Sequence, residues 1–155
     1  MTRQGAYLLA MVVALQLSGC SSSSDVSPTQ THFRTDLGRV TTPVMVKEVP
    51  LILNRYQFVL FRNEDRRTTW YFETEWKSRD PFEDEFELGF SQVHTQIIID
   101  ARSSGAQWRA ELRAYNRYRR ALGAQWEEGP VTPMFREYMQ RIAREMSREF
   151  ATSIF

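Results

Sequence analysis

The sequence predicts an α+β fold in which an antiparallel sheet of about four strands packs against a short N-terminal helix and a C-terminal amphipathic helix. Three segments in the middle of the chain alternate apolar and polar residues with the period of two that is typical of half-buried strands. A last segment carries apolar residues at helical spacing. With 155 residues in all, we expect residues 41–155 to form one domain with one core.

The first nineteen residues have the layout of a secretory signal peptide. Arg3 precedes an apolar run over residues 6–17 that ends in small residues. That run is about twelve residues long, whereas a membrane-spanning helix needs about 20. Residues 1–19 therefore predict export and cleavage rather than a permanent transmembrane anchor.

The segment Leu17-Ser18-Gly19-Cys20 resembles the lipobox of bacterial lipoproteins. In that family the peptide is cleaved before the cysteine, whose sulfur carries a diacylglyceryl group and whose amino group usually takes a third acyl chain. The resemblance implies lipidation of Cys20 and a membrane partner for the protein. It agrees with the presence of a single cysteine, which has no intramolecular disulfide partner in an oxidising compartment.

Residues 20–40 are expected to be the lipidated cysteine and a flexible tether, because their polar composition cannot offset the entropy of ordering. In enterobacterial lipoproteins, an aspartate directly after the cysteine favours the inner membrane, and here Ser21 stands there. The resemblance thus implies a lipid anchor in the outer membrane, facing the periplasm. In a Gram-positive host it implies the outside of the plasma membrane.

The first predicted element of the domain is a short helix that begins at Thr42-Pro43, since proline is favoured in the first turn. Apolar residues continue at helical spacing beyond this start, but Pro50 removes one backbone hydrogen bond and clashes with the preceding turn. We interpret the segment as a helix that passes into a strand over residues 56–61. A kinked helix and two extended pieces are the alternatives.

The next three strands are expected at residues 69–76, 93–102 and 107–118. The residues expected on their buried sides are Trp70, Phe72, Thr74 and Trp76, then Val93, Thr95, Ile97, Ile99 and Ala101, then Trp108, Ala110, Leu112 and Ala114. A tight turn centred on Ser104-Gly105 joins the last two strands, because glycine accepts a positive φ. This register places Ala101 opposite Trp108, Ile97 opposite Leu112, and Asp100 opposite Arg109.

The closing helix is predicted to begin with Thr132 as its cap and Pro133 as its first residue, and to end near Thr152. Its apolar stripe consists of Phe135, Met139, Ile142, Met146 and Phe150.

No metal or cofactor site is predicted, because the mature chain offers as ligands only His32, His94 and the blocked Cys20 besides its carboxylates. The motifs of phosphate loops and serine nucleophiles are absent. Removal of residues 1–19 leaves equal numbers of basic and acidic residues, which disfavours nucleic acid as a partner. We therefore expect a protein that is not an enzyme.

The best catalytic candidates are Glu73 and Glu75, which lie on one face of a predicted strand. A carboxylate pair can hydrolyse a glycoside when the pKa of one member is raised. The favoured alternative is that these glutamates pair with arginines across the sheet. The acidic residues that follow, Asp80, Glu83, Asp84, Glu85 and Glu87, are interpreted as a solvated loop.

A mixture of aromatic and positively charged residues near the end of one strand is the best candidate for a partner-binding site. Its members are Tyr115, Arg117, Tyr118, Arg119, Arg120 and Trp126. The alternative is that the aromatics belong to the core and the arginine stems cover apolar surface.

The leading hypothesis is a non-enzymatic, membrane-tethered accessory or scaffold of envelope assembly that binds an envelope protein. The general plan is similar to that of small lipoproteins of outer-membrane assembly, namely the lipopolysaccharide-assembly partner and the small-domain lipoprotein of the β-barrel assembly machine. One alternative is a lipid- or glycan-binding module with a pocket lined by aromatics, for which Trp70, Trp76, Trp108 and Trp126 are available. A third hypothesis is an envelope hydrolase that uses Glu73 and Glu75.

Overall fold

The computed structural model describes residues 30–152. The predicted signal peptide and lipobox, with Cys20, lie outside these residues. The elements are β1 (His32–Val40), α1 (Thr42–Arg55), β2 (Leu60–Asp65), β3 (Thr69–Thr74), β4 (Lys77–Arg79), α2 (Glu83–Glu87), β5 (Gln92–Ser104), β6 (Gln107–Arg119), β7 (Glu127–Glu128) and α3 (Pro133–Thr152). The strands form one sheet in the order β1-β6-β5-β3-β2, with β4 beside β5 and β7 beside β6.

The predicted fold is contradicted, because the described sheet has seven strands instead of about four. Strands hold 42% of the described residues and helices 32%, so that the protein is mostly sheet with a C-terminal helix. All the strand pairs are antiparallel. Within residues 30–152, none of the helices has the length and apolar character needed to cross a membrane.

The first strand lies in a segment that was expected to be part of the tether. Phe33, Leu37 and Val40 are buried, but their spacing of four and three residues hides the period of a strand. The reason is a β-bulge between Asp36 and Gly38, where Gly38 has a φ of 93°. The bulge adds a residue and restores the inward direction beyond it. The tether prediction is therefore wrong for residues 32–40.

Helix α1 continues through Pro50 to Arg55 and buries Met45, Val49, Ile52 and Leu53. The chain then turns at Gln57, whose φ is positive, and β2 begins only at Leu60. The expected strand over residues 56–61 is thus displaced, because the turn that ends the helix occupies its first positions.

The hairpin of β5 and β6 is formed with a register different from the predicted one. The turn consists of Gly105-Ala106, one residue later than expected, so that Ala101 lies opposite Ala110 instead of Trp108. Each pairing therefore moves by two residues. A shift of two leaves every side chain on its predicted face, and the buried sides of both strands were predicted correctly.

The charge pairing changes with this register. Asp100 lies opposite Glu111 rather than Arg109, and it forms an ion pair with Arg113 instead. Arg109 forms its ion pair with Asp36 of β1, at 2.5 Å between Nη2 and Oδ2.

Trp76 lies on the opposite face from the predicted one. Phe72 of β3 lies opposite Ile99 of β5, and Ser78 of β4 lies opposite His94 of β5. Between these two pairs, the chain from β3 to β4 is six residues long, whereas the matching part of β5 is five residues long. One extra residue reverses the alternation of side chains. Trp76 therefore lies on the outer face of the sheet, the face that does not carry the core.

The core lies between the inner face of the sheet and helices α1 and α3. All five residues of the predicted stripe of α3 are fully buried, and the helix has the predicted bounds. Burial of each large apolar side chain stabilises the fold by about 1.5–3 kcal/mol. Because both long helices pack on this side, the outer face is left uncovered in the described part of the chain.

A buried ion pair closes one end of the inner face. Arg79 donates from both terminal nitrogens to the carboxylate of Glu85, at 2.7 and 2.6 Å, and the Glu85 side chain is fully buried. Asn116 Nδ2 and the backbone N–H of Phe82 donate to the same carboxylate, while Arg79 Nε donates to Thr95 Oγ1 at 3.0 Å. The pair thus ties α2 to β4, β5 and β6. The prediction of a solvated acidic loop is wrong for Glu85.

Replacing Glu85 with alanine is expected to lower the free energy of unfolding by about 3–5 kcal/mol, because Arg79 would stay buried without a counter-charge. Urea unfolding followed by circular dichroism measures the change. Glu83→Ala, at an exposed position of the same helix, is the matched control and should change the free energy by less than about 0.5 kcal/mol. Equal losses in the two variants would contradict a structural role for the pair.

Candidate functional site

The outer face of the sheet carries an open groove with a volume of about 770 Å³. Side chains of β1, β5 and β6 line most of it. Its charged residues are five arginines, Arg34, Arg66, Arg102, Arg109 and Arg113, and three acidic residues, Asp36, Asp100 and Glu111. The groove therefore has a positive excess, although several of its arginines form ion pairs within it.

Next to the groove lies a group of side chains that we call the Trp–Arg cluster, which consists of Trp76, His94, Arg117, Arg119 and Trp126. Strand β6 supplies the two arginines and β5 supplies His94. Trp76 precedes β4 and Trp126 precedes β7. The cluster is thus assembled from four separate segments of the chain.

Stacking contacts hold the cluster together. The guanidinium carbon of Arg117 lies 4.2 Å from the ring centroid of Trp76 and 5.0 Å from that of Trp126. The guanidinium carbon of Arg119 also lies 5.0 Å from the Trp126 ring. The rings of His94 and Trp126 are 4.0 Å apart between centroids. Distances below about 6 Å place both arginines within reach of cation–π attraction.

A hydrogen bond fixes the protonation of His94. Arg117 Nη2 lies 3.1 Å from His94 Nδ1, and arginine has no acceptor, so Nδ1 accepts and the proton of the neutral ring resides on Nε2. Burial, followed by the positive charges of Arg117 and Arg119, lowers the pKa of His94 from its ordinary value of 6.5. His94 is therefore a neutral member of a positively charged cluster at neutral pH.

The six residues proposed from the sequence do not lie on one surface. Arg117, Arg119 and Trp126 belong to the Trp–Arg cluster, and Tyr115 lies beside it on the outer face, stacked on His32 at 5.4 Å between ring centroids.

The other two residues, Tyr118 and Arg120, form a separate contact. Tyr118 is 7% exposed and stacks on Phe90 at 3.7 Å. The guanidinium carbon of Arg120 lies 5.5 Å from the Tyr118 ring, and its Nη1 donates to the backbone oxygen of Leu88. These contacts are those of a small second core, so that of the three proposed aromatics Tyr118 is the one that belongs to a core.

Two members of the cluster, Trp76 and His94, were not among the proposed site residues. The alternation of β5 already placed His94 on the outer face, which was a usable signal. Nothing in the alternation revealed Trp76, because the extra residue between β3 and β4 reverses its direction.

Glu73 and Glu75, the candidate catalytic residues of a hydrolase, differ in their surroundings. Glu73 accepts hydrogen bonds from Gln96 Nε2 and the hydroxyl of Tyr71, and it lies 3.6 Å from Arg62. Glu75 is exposed, in the break between β3 and β4. Residues 30–152 contain no group of three or more side chains suited to hold a metal ion.

The four tryptophans divide into two separate pairs. Trp70 and Trp108 meet edge to face at 5.9 Å and pack against the core. Their indole N–H groups donate to Asn63 Oδ1 and Thr42 Oγ1. Trp76 and Trp126 lie instead on the outer face, where they flank one arginine.

No protein-family model matches this sequence, and the comparison with curated proteins finds no match.

We expect the free energy of unfolding to fall as the pH is lowered below about 6.5, because between this value and the lower folded-state pKa only the unfolded chain takes up a proton on His94. The folded-state pKa lies below 6.5, so this contribution is complete above 6.5 and is lost on acidification. His94→Gln should flatten the fall. Urea unfolding at a series of pH values measures both slopes, and identical slopes would contradict the burial of a neutral His94.

Proposed function

We propose that this protein is a non-enzymatic, membrane-tethered envelope lipoprotein that acts as an accessory or scaffold in outer-membrane or envelope assembly. It binds another envelope protein through the outer face of its sheet. The observation that carries this proposal is the outer face of the sheet, which residues 30–152 leave uncovered and which combines the groove with the Trp–Arg cluster.

The composition of this face supports protein binding. Tryptophan, tyrosine and arginine are the residues most enriched at the centres of protein interfaces. Here Trp76, Trp126 and Tyr115 lie among arginines on one surface. Neighbouring contacts also restrict the arginine side chains, so that less conformational entropy is lost on binding.

The position of Gln30 supports the tether. The backbone oxygen of Gln30 accepts a hydrogen bond from Val131 N at 2.8 Å, and Gln30 Oε1 accepts one from Arg136 at 2.9 Å. The domain is thus fixed from residue 30 onwards. The ten residues after Cys20 reach at most about 35 Å when fully extended, so a lipid on Cys20 keeps the domain close to the bilayer.

The lipid anchor is tested by the intact mass of the membrane-extracted protein. We expect the wild type to lack residues 1–19 and to carry acyl mass on Cys20, because Leu17-Ser18-Gly19-Cys20 resembles a lipobox. Cys20→Ala should lack this mass and leave the membrane fraction. Unmodified Cys20 in the wild type would contradict the anchor.

Partner binding is tested by placing a photocrosslinking amino acid at Tyr115, on the outer face. We expect a discrete crosslinked protein in intact cells. The same amino acid at Arg144, an exposed position of α3, is the control and should give no such product. Crosslinks from Arg144 and none from Tyr115 would overturn the assignment of the binding face.

A further inference from the structure

The arginines of the outer face differ in their ion pairing. In the groove, Arg34, Arg109 and Arg113 form ion pairs with Glu111, Asp36 and Asp100 respectively. Among the described residues, neither Arg117 nor Arg119 forms an ion pair. Two adjacent positive charges of the cluster therefore lack a carboxylate.

Arg117 is the more constrained of the two. Its guanidinium lies between Trp76 and Trp126. Its Nη2 atom donates a hydrogen bond to Nδ1 of His94. Its Nε atom is buried and has no hydrogen-bond partner in the described part of the chain. A guanidinium has five N–H donors, and withdrawing a charge from water without a counter-charge is costly. An external carboxylate would supply that counter-charge at the exposed donors of the guanidinium, although Nε itself stays covered.

Arg119 adds a second charge at the same place. It lies two residues further along β6 and thus on the same face. Its Nε donates to Gln92 Oε1 at 2.5 Å, which orients the guanidinium. Because Arg117 and Arg119 both lie 5.0 Å from the ring of Trp126, their charges converge on one apolar platform.

A nearby acidic residue limits the charge that the cluster accepts. Glu128 of β7 lies opposite Arg117 in the strand ladder and is exposed, and it forms no ion pair with Arg117 in the described structure. Its charge repels a doubly charged phosphate monoester more than it repels a singly charged carboxylate or phosphodiester.

We infer that the Trp–Arg cluster is a binding site for a carboxylate side chain in an acidic segment of the partner protein, an inference that rests on the proposed function. The planar guanidinium matches a carboxylate in two parallel hydrogen bonds. The tryptophans exclude water from these bonds and offer apolar contact to the methylene groups of a glutamate. His94 can donate from Nε2 at the edge of the same site.

The test is a titration of tryptophan fluorescence in the purified mature protein with a short glutamate-rich peptide. We expect a saturable change with this peptide and none with its glutamine counterpart. Arg117→Gln should weaken binding about ten- to hundredfold, since it removes a charge-assisted hydrogen-bond pair. Glu128→Gln should tighten binding about two- to fivefold, since it removes a like charge. Arg144→Gln, which removes an exposed arginine from α3, should bind like the wild type.

Because Arg117 also packs between two tryptophans, Arg119→Gln serves as a second variant whose fold depends less on the change. Undiminished binding by either variant, with a native circular dichroism spectrum, would overturn the inference. Binding to vesicles containing phosphatidylglycerol but not to the peptide would overturn it in favour of a lipid phosphate. A protein crosslinked from Tyr115 without any peptide binding would overturn only the carboxylate site and leave the proposed function intact.

Discussion

The pairing of β5 with β6 is the constraint on which the rest of the structure depends. Every other strand except β2 pairs directly with one of these two, and β2 is attached through β3. Their alternating side chains therefore define both faces of the sheet at once. Small and branched residues on the inner side, from Val93 to Ala101 and from Ala110 to Ala114, allow α1 and α3 to pack closely. The same alternation directs His94, Arg117 and Arg119 to the outer face.

The buried ion pair of Arg79 and Glu85 fastens α2 to one end of this hairpin. Charges so deep in a protein are tolerated only when hydrogen bonds satisfy them fully, and Asn116 of β6 supplies one of those bonds. The pair holds α2 against the sheet, while the backbone N–H of Met134 donates to Asp84 and joins α2 to the start of α3. The inner face is thereby closed with polar as well as apolar contacts.

The outer face owes its character to two local departures from regular pairing. The extra residue before β4 brings Trp76 to this face, and the short β7 brings Trp126 close to the end of β6. Between them the guanidinium of Arg117 is partly desolvated, and this burial lowers its pKa. The cation–π attraction of both rings holds this positive charge at the surface of the sheet.

The sequence by itself determined the elements whose periodicity is regular: the stripe and bounds of α3, the buried sides of β5 and β6, and the outward direction of His94. Only the tertiary structure decided the rest, because a bulge or a one-residue shift leaves composition unchanged while it reverses faces or moves partners. Strand β1 was hidden by the bulge at Gly38, and Trp76 by the extra residue before β4. The burial of Glu85 depends on Arg79 and Asn116, which meet it only after the sheet has formed.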